Sequence, residues 1–243
     1  LLTSWALRVK MRHERNMLNT KALFERRVAI YKRLLHEAIK MGPPAHTECL
    51  YHPGETIFHT GSEPFGVYFV HHGVVKLFKS GRAGRQHITY MGGQGDLFGY
   101  RALLAGELYK VTAQSLHQSK VSFIRKDLFL AALDKDPMLA QLLLRTLSVE
   151  LGDVEDRLVG AVQVPAEQRV ARALCFLMRN YGLDGAGVLK LDLSRGDISE
   201  LSDTAAETLM RCLGDMEKQR IILRDKKHLV ILDVEGLKKE AGL

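Results

Sequence analysis

Between Pro137 and Ala161 the apolar residues Ala140, Leu144, Leu147, Leu151, Val154, Leu158 and Ala161 recur at alternating spacings of four and three. That spacing belongs to a long helix with one narrow apolar seam, and Gln141, Arg145, Glu150, Asp153, Glu155, Asp156 and Arg157 give it a solvated back. A narrow seam at heptad spacing favours a partner helix, most simply that of a second copy of the chain. The competing reading is a core helix of one domain, which Leu142, Leu143 and Val149 off the seam support in part. Pro137 suits a first-turn position, where its missing N–H costs nothing, and Pro165 follows the far end. A helix of this kind in the second half of a 243-residue chain divides it. The expected segments are a basic, mainly helical 1–48, a β-rich 49–134, the helix in 135–163 and a mixed 164–243.

The net charge of +7 loses its meaning as a nucleic-acid signal once it is divided along the chain. Residues 1–48 carry 10 Lys and Arg against 4 Asp and Glu, residues 49–164 carry 12 against 11, and residues 165–243 carry 13 against 13. The excess is N-terminal, in the run from Arg8 to Arg33, which reads either as a basic arm for phosphates or as a solvated helix face. Leu23, Phe24, Ile30, Leu34, Leu35 and Ile39 alternate with those charges at helical spacing, and Gly42-Pro43-Pro44 closes the segment. No run of about 18 apolar residues occurs and the N-terminus lacks an apolar signal core, so the expectation is a cytoplasmic protein with no membrane partner. Cys49, Cys175 and Cys212 are far apart and form no Cys-x-x-Cys pair, which argues for reduced thiols over disulfides or a zinc site.

From Cys49 to Phe129 the texture changes to short β-rich runs: Thr56 to Phe58, Val67 to Val70, Val74 to Phe78, His87 to Tyr90 and Val121 to Ile124. Breaks at Pro53-Gly54, Gly61, Gly73, Gly81 to Gly84 and Gly92 to Gly95 separate them, a spacing that indicates an antiparallel barrel or jelly roll. Pro53-Gly54-Glu55-Thr56-Ile57-Phe58, Gly61, Val67-Tyr68-Phe69-Val70, Gly73-Val74-Val75-Lys76-Leu77 and Gly95-Asp96-Leu97-Phe98-Gly99 resemble the glycine-spaced cyclic-nucleotide-binding β-roll. A roll followed by a long helix is similar to bacterial regulators of the CRP/FNR superfamily. The resemblance covers nearly everything after residue 49.

In that family's cyclic-nucleotide binders, a Glu after Phe-Gly meets the ribose and a following Arg-Ser or Arg-Thr grips the phosphate, since a buried phosphate needs a guanidinium and hydroxyl or backbone donors. Here Tyr100 stands at the Glu position and Tyr109 and Lys110 at the Arg and Ser positions. The missing trio argues against cyclic AMP and implies no cofactor, leaving an unidentified effector as the open alternative. A degenerate pocket would comprise Gly99, Tyr100, Arg101, Tyr109 and Lys110, with Arg101 and Lys110 able to attract an anion or to point into solvent.

Four histidines, His59, His71, His72 and His87, raise the alternative of a cupin-like metal enzyme. Metal chemistry in a jelly roll needs converging imidazoles, and the adjacent pair His71-His72 would face opposite sides of a strand. No G-x-S-x-G or comparable nucleophile motif occurs, so the chain reads as no enzyme. The resemblance admits haem- or thiol-based sensing, although the N-terminal cysteine cluster of the superfamily's iron–sulfur members is absent.

Beyond Pro165, Val170, Ala173, Leu174, Leu177 and Met178 form a helical face, Asp184-Gly185-Ala186-Gly187 a turn, and Leu189 to Leu193 a short strand pattern. Ser194 with Asp197, and Thr204 with Glu207, fit the cap-plus-acid pattern of two helix starts, and two capped helices around a tight turn make a helix-turn-helix. Ile221 to Leu223 and Leu229 to Leu232 flank Asp225-Lys226-Lys227 as a hairpin wing. The block resembles the family's winged helix-turn-helix, whose Ser-Arg-Glu-Thr-Val-Ser-Arg corresponds to Ala205, Ala206, Glu207, Thr208, Leu209, Met210 and Arg211. The resemblance puts base reading at Ala206, Glu207 and Arg211. A carboxylate can accept from a cytosine amino group and a guanidinium can grip guanine O6 and N7. The capping pattern leaves Glu207 divided between that role and its own helix terminus. Phosphate contacts fall to Thr204, Thr208, Lys218, Arg224, Lys226 and Lys227.

The expected architecture is therefore α+β: a helical N-terminal cap, an antiparallel jelly-roll-like sensor roll, a long dimerisation helix and a C-terminal winged helix-turn-helix. The expected molecule is a homodimer paired through Leu144, Leu147, Leu151, Val154 and Leu158 that binds a palindromic operator in double-stranded DNA. The resemblance adds RNA polymerase as a partner.

Overall fold

In the computed structural model, residues 25–37, 39–40, 46–81, 86–225 and 228–243 are described, apart from the side chains of Asp153 and residues 156–163. The basic run before residue 25, the Gly42-Pro43-Pro44 break, the Leu158 side chain and Lys226 and Lys227 lie outside the described residues. The chain divides into two compact units, with the boundary inside the long helix between Asp153 and Val154.

A helix over residues 25–37 (α1) precedes β1 (Thr47–Tyr51), β2 (Thr56–Phe58), β3 (Gly66–His72), β4 (Val75–Ser80), β5 (Gln86–Gly92) and β6 (Leu97–Phe98). Then follow α2 (Tyr100–Ala105), β7 (Thr112–Ser115), β8 (Ser119–Arg125), α3 (Lys126–Lys135) and α4 (Pro137–Gln163). The strands form two four-stranded sheets, ordered β1-β8-β3-β6 and β2-β7-β4-β5. Strand β3 shows how the first sheet is covered on both faces at its centre. Its side chains alternate, so Val67 and Phe69 enter one core with Leu97, Ile124 and Phe129, while Tyr68 and Val70 enter another with Phe58, Phe98 and Val121. The first core is the helical layer and takes in Ile30 and Leu34 of α1 and Leu139 and Leu143 of α4; the second fills the roll. The periodicity of the sequence did not reveal β1, which is mostly exposed, β6, two residues long, or β7, whose Thr-Ala-Gln-Ser is mostly polar.

Helix α4 starts where Asp136 Oδ1 accepts from the backbone N–H groups of Met138 (3.1 Å) and Leu139 (3.3 Å). Leu139 and Leu143 are buried and Leu142 and Leu147 pack beside them, whereas Leu144, Leu151 and Val154 are 64%, 60% and 42% exposed. The helix thus has a flank on the core and, round its circumference, an uncovered apolar seam.

The second unit comprises α5 (Ala166–Tyr181), α6 (Arg195–Leu201), α7 (Ala206–Lys218), β9 (Ile222–Asp225), β10 (His228–Ile231) and α8 (Val234–Glu240). Helix α5 buries Val170, Leu174 and Leu177 and packs against α6, α7 and α8. Strands β9 and β10 pair antiparallel from His228↔Asp225 to Ile231↔Ile222, the expected wing. The strand expected over Leu189 to Leu193 shortens to the contact of Gly187–Leu189 with β10, through Leu189 N–H to Leu229 O (3.0 Å) and Ile231 N–H to Gly187 O (2.9 Å). Gly187, at φ +81°, leaves no room for a β-carbon, which would lie 2.8 Å from Ile231 O.

Candidate nucleic-acid interface and effector region

Helix α6 opens with a complete capping box: Ser194 Oγ accepts from Asp197 N–H (3.0 Å) and Asp197 Oδ2 accepts from Ser194 N–H (3.2 Å). The second helix corrects the sequence expectation. Asp203 takes a left-handed turn at φ 49°, the cap of α7 becomes Ala205, and Thr204 turns inward, 2% exposed. Its oxygens are engaged, Oγ1 with Ser202 Oγ (2.8 Å) and the carbonyl with Ser199 Oγ (2.6 Å). Thr204 therefore caps nothing and offers no surface to a phosphate; it holds the turn.

With Ala205 as the cap, Glu207 is freed from capping and makes no hydrogen bond or ion pair among the described residues. Leu209, Cys212, Leu213 and Met216 form the buried face of α7. The exposed stripe carries Ala206, Glu207, Met210 and Arg211, with Thr208 half-buried at its side. Arg211 has one loose contact, Nη2 to Glu167 Oε1 at 3.5 Å, both side chains well exposed. Of the remaining phosphate candidates, Lys218 pairs with Asp215 (2.8 Å) and stays 79% exposed. Arg224 is taken up by Glu217, with Nε to Oε2 at 2.8 Å and backbone N–H to Oε1 at 3.0 Å. That arrangement joins the wing to α7 and holds the Glu217 carboxylate below its usual range through the Arg224 hydrogen bonds.

One residue outside the sequence expectations ties the unit together. Arg169 of α5 donates to three carbonyls: Val164 just before Pro165 (2.8 Å), Ser202 (3.2 Å) and Asp203 (3.0 Å). The start of α5 and the turn between α6 and α7 share one guanidinium, whose planar fork suits several acceptors at once.

In the first unit, the residues expected to line one effector pocket are dispersed. Tyr109 lies inside the roll, stacked on Phe58 with ring centroids 3.7 Å apart, and Tyr68 stacks on Phe98 at 5.2 Å. Tyr100 lies in the other core, across the first sheet. Gly99 separates them at φ +89°, where a β-carbon would sit 3.1 Å from the Tyr68 ring. Arg101 and Lys110 are exposed, and Lys110 pairs with Glu107. The roll interior is occupied by its own aromatic side chains, each contributing about 1.5–3 kcal/mol by burial, and burial pushes the Tyr109 phenol up to about 12.

Tyr100 has a different partner. Its hydroxyl donates to Glu150 Oε2 of α4 (2.8 Å), and Glu150 Oε1 accepts from Arg27 Nη2 of α1 (2.8 Å). Arg27 also pairs with Asp96, whose other oxygen accepts from Gly93 N–H (2.7 Å), and lies 5.5 Å from the Tyr90 ring centroid. The Arg27 side chain is 6% exposed, Asp96 16% and Glu150 20%. Burial by itself disfavours the Arg27 charge, but Tyr90, Asp96 and Glu150 more than reverse this and hold its proton firmly. The cluster joins α1, the roll and α4 where the sequence suggested only a charge run.

Cys175 and Cys212 are buried, and burial pushes the Cys175 thiol up to about 11 and raises Cys212 as well, which opposes thiolate chemistry. Among the described residues no group of three His, Cys, Asp or Glu is placed to hold a metal ion, and no helix is long and apolar enough to cross a membrane. His71 Nε2 instead meets Ser122 Oγ at 2.7 Å.

Residues 48–136 match the cyclic nucleotide-binding domain family, and residues 168–240 match the Crp-like helix-turn-helix domain family. The chain is 28% identical over 190 residues to the anaerobic regulatory protein of Haemophilus influenzae, covering 77% of this chain and 74% of that protein. It is 28% identical over 191 residues to the fumarate and nitrate reduction regulatory protein of Escherichia coli, covering 78% and 76%. The solved structure of FixK2 from Bradyrhizobium japonicum superposes with a TM-score of 0.70 at 27% identity, covering 80% of this chain and 96% of that one. The reading helix on its wing, the aromatic-filled roll and the order of the two matched domains agree: the chain belongs to the CRP/FNR family of DNA-binding transcription regulators.

Proposed function

We propose that the protein acts as a homodimer that reads a two-fold symmetric operator through α7 and does so without cyclic AMP. The observation that carries this reading is the outward stripe of α7, where Glu207 is unspent and Arg211 only loosely engaged beside a firmly packed opposite face. Glu207 accepts from a cytosine amino group and Arg211 donates to guanine, while Ala206 leaves one base position without a guanidinium. The uncovered Leu144, Leu151 and Val154 of α4 supply the pairing surface, and two copies set two reading helices at a fixed separation. Independence from cyclic AMP is supported by Tyr109 filling the roll and Tyr100 engaging Glu150.

Selection of bound sequences from a random double-stranded DNA pool, with and without cyclic AMP, tests the reading. The expected result is one palindromic motif recovered equally in both conditions. A motif recovered only with cyclic AMP would refute the assignment of Tyr100 and Tyr109, and recovery of no motif would refute the regulator reading as stated.

A further inference from the structure

Every large apolar side chain of α7 is buried except one. Leu209 and Leu213 are 0% exposed and Met216 2%, but Met210 is 44% exposed. It lies on the outward stripe, one turn beyond Ala206 and Glu207 and next to Arg211. A 3.6-residue period assigns position 210 to the polar side of the helix, so the methionine is not a core residue displaced outward. Its flanking Glu207 and Arg211 carry opposite charges and would both have to be desolvated in a dry protein contact, which disfavours a second protein as its cover. A major groove accommodates that mixture, since the groups that need water-like partners find them on base edges. The one apolar group displayed there is the thymine C5-methyl.

We propose that Met210 is a specificity-determining residue that packs against the C5-methyl of a thymine in each half-site, an inference that rests on the regulator reading above. Along the helix axis Met210 stands about 4.5 Å from Glu207 and about 1.5 Å from Arg211. Its thymine therefore lies within one or two base pairs of the pair that Glu207 contacts, base pairs being about 3.4 Å apart. Three rotatable bonds and a polarizable sulfur let the side chain follow the methyl group without a rigid fit.

The test uses the full chain and the operator recovered by selection. Each thymine of the half-site is replaced in turn by deoxyuridine, which removes the methyl group and keeps every hydrogen-bonding atom, and affinity is read by fluorescence anisotropy. The expected result is one position per half-site at which deoxyuridine weakens binding roughly threefold to tenfold. In Met210→Ala that difference disappears, while the losses caused by changing the base pairs read by Glu207 and Arg211 persist; Met210→Leu keeps it. Equal binding of thymine and deoxyuridine duplexes at every position, or a difference that survives in Met210→Ala, overturns the proposal and leaves the regulator reading standing. Failure of the chain to bind any duplex overturns both.

Discussion

Arg27 is surrounded by Asp96, Glu150 and the Tyr90 ring, and its Nε has no hydrogen-bond partner among the described residues. Arg27→Met should lower stability by about 3 kcal/mol, because two half-buried carboxylates lose their counter-charge. Adding Glu150→Gln, which still accepts from Tyr100, should recover part of that loss, giving a coupling above about 1 kcal/mol in a urea-unfolding double-mutant cycle. Additive losses would show that the two residues do not share a network. Nothing in the sequence marked this cluster, since Arg27 stands in a run of charges and its partners lie 69 and 123 residues away. The capping pattern was legible at Ser194 and Asp197 and misleading at Thr204, because a left-handed Asp203 moves the cap by one residue, which spacing does not encode. Met210 stands off the helical period of Leu209, Leu213 and Met216, a departure carried by the spacing of α7 itself.

Helix α4 has two different flanks, and both were legible in the sequence: an apolar seam at heptad spacing, exposed at Leu144, Leu151 and Val154, and the off-seam Leu142 and Leu143 that meet the core. Among the described residues of the seam, Leu147 shifts, lying against the core instead of standing free with Leu144 and Leu151. Leu144→Glu with Leu151→Glu should therefore shift the molecule from dimer to monomer in sedimentation velocity while leaving the far-ultraviolet circular dichroism unchanged. Each leucine contributes about 1.5–3 kcal/mol once covered, and it occurs twice in a symmetric pair. A variant that sediments as the parent does would move the pairing surface elsewhere. In the roll, the glycine breaks made β2, β3, β4, β5 and β8 legible as separate strands, whereas the assignment of Tyr100 and Tyr109 to opposite faces was not. That division follows from the path of one short helix, α2, between β6 and β7.

At the scale of the molecule, a packed roll, a helix with an exposed seam and a helix-turn-helix with an open stripe are the features on which the proposed reading, a paired regulator that acts without cyclic AMP, rests. The neutral charge of residues 165–243 leaves phosphate anchoring to few side chains, so the proposed reading expects tight binding only from two linked heads. The most direct test is the mass of the complex on the selected operator, measured by light scattering, together with affinity for an operator in which one half-site is scrambled. Two chains per duplex and at least a tenfold loss on scrambling are the results expected. One chain per duplex, with the scrambled operator bound as tightly as the intact one, would contradict the dimeric reading.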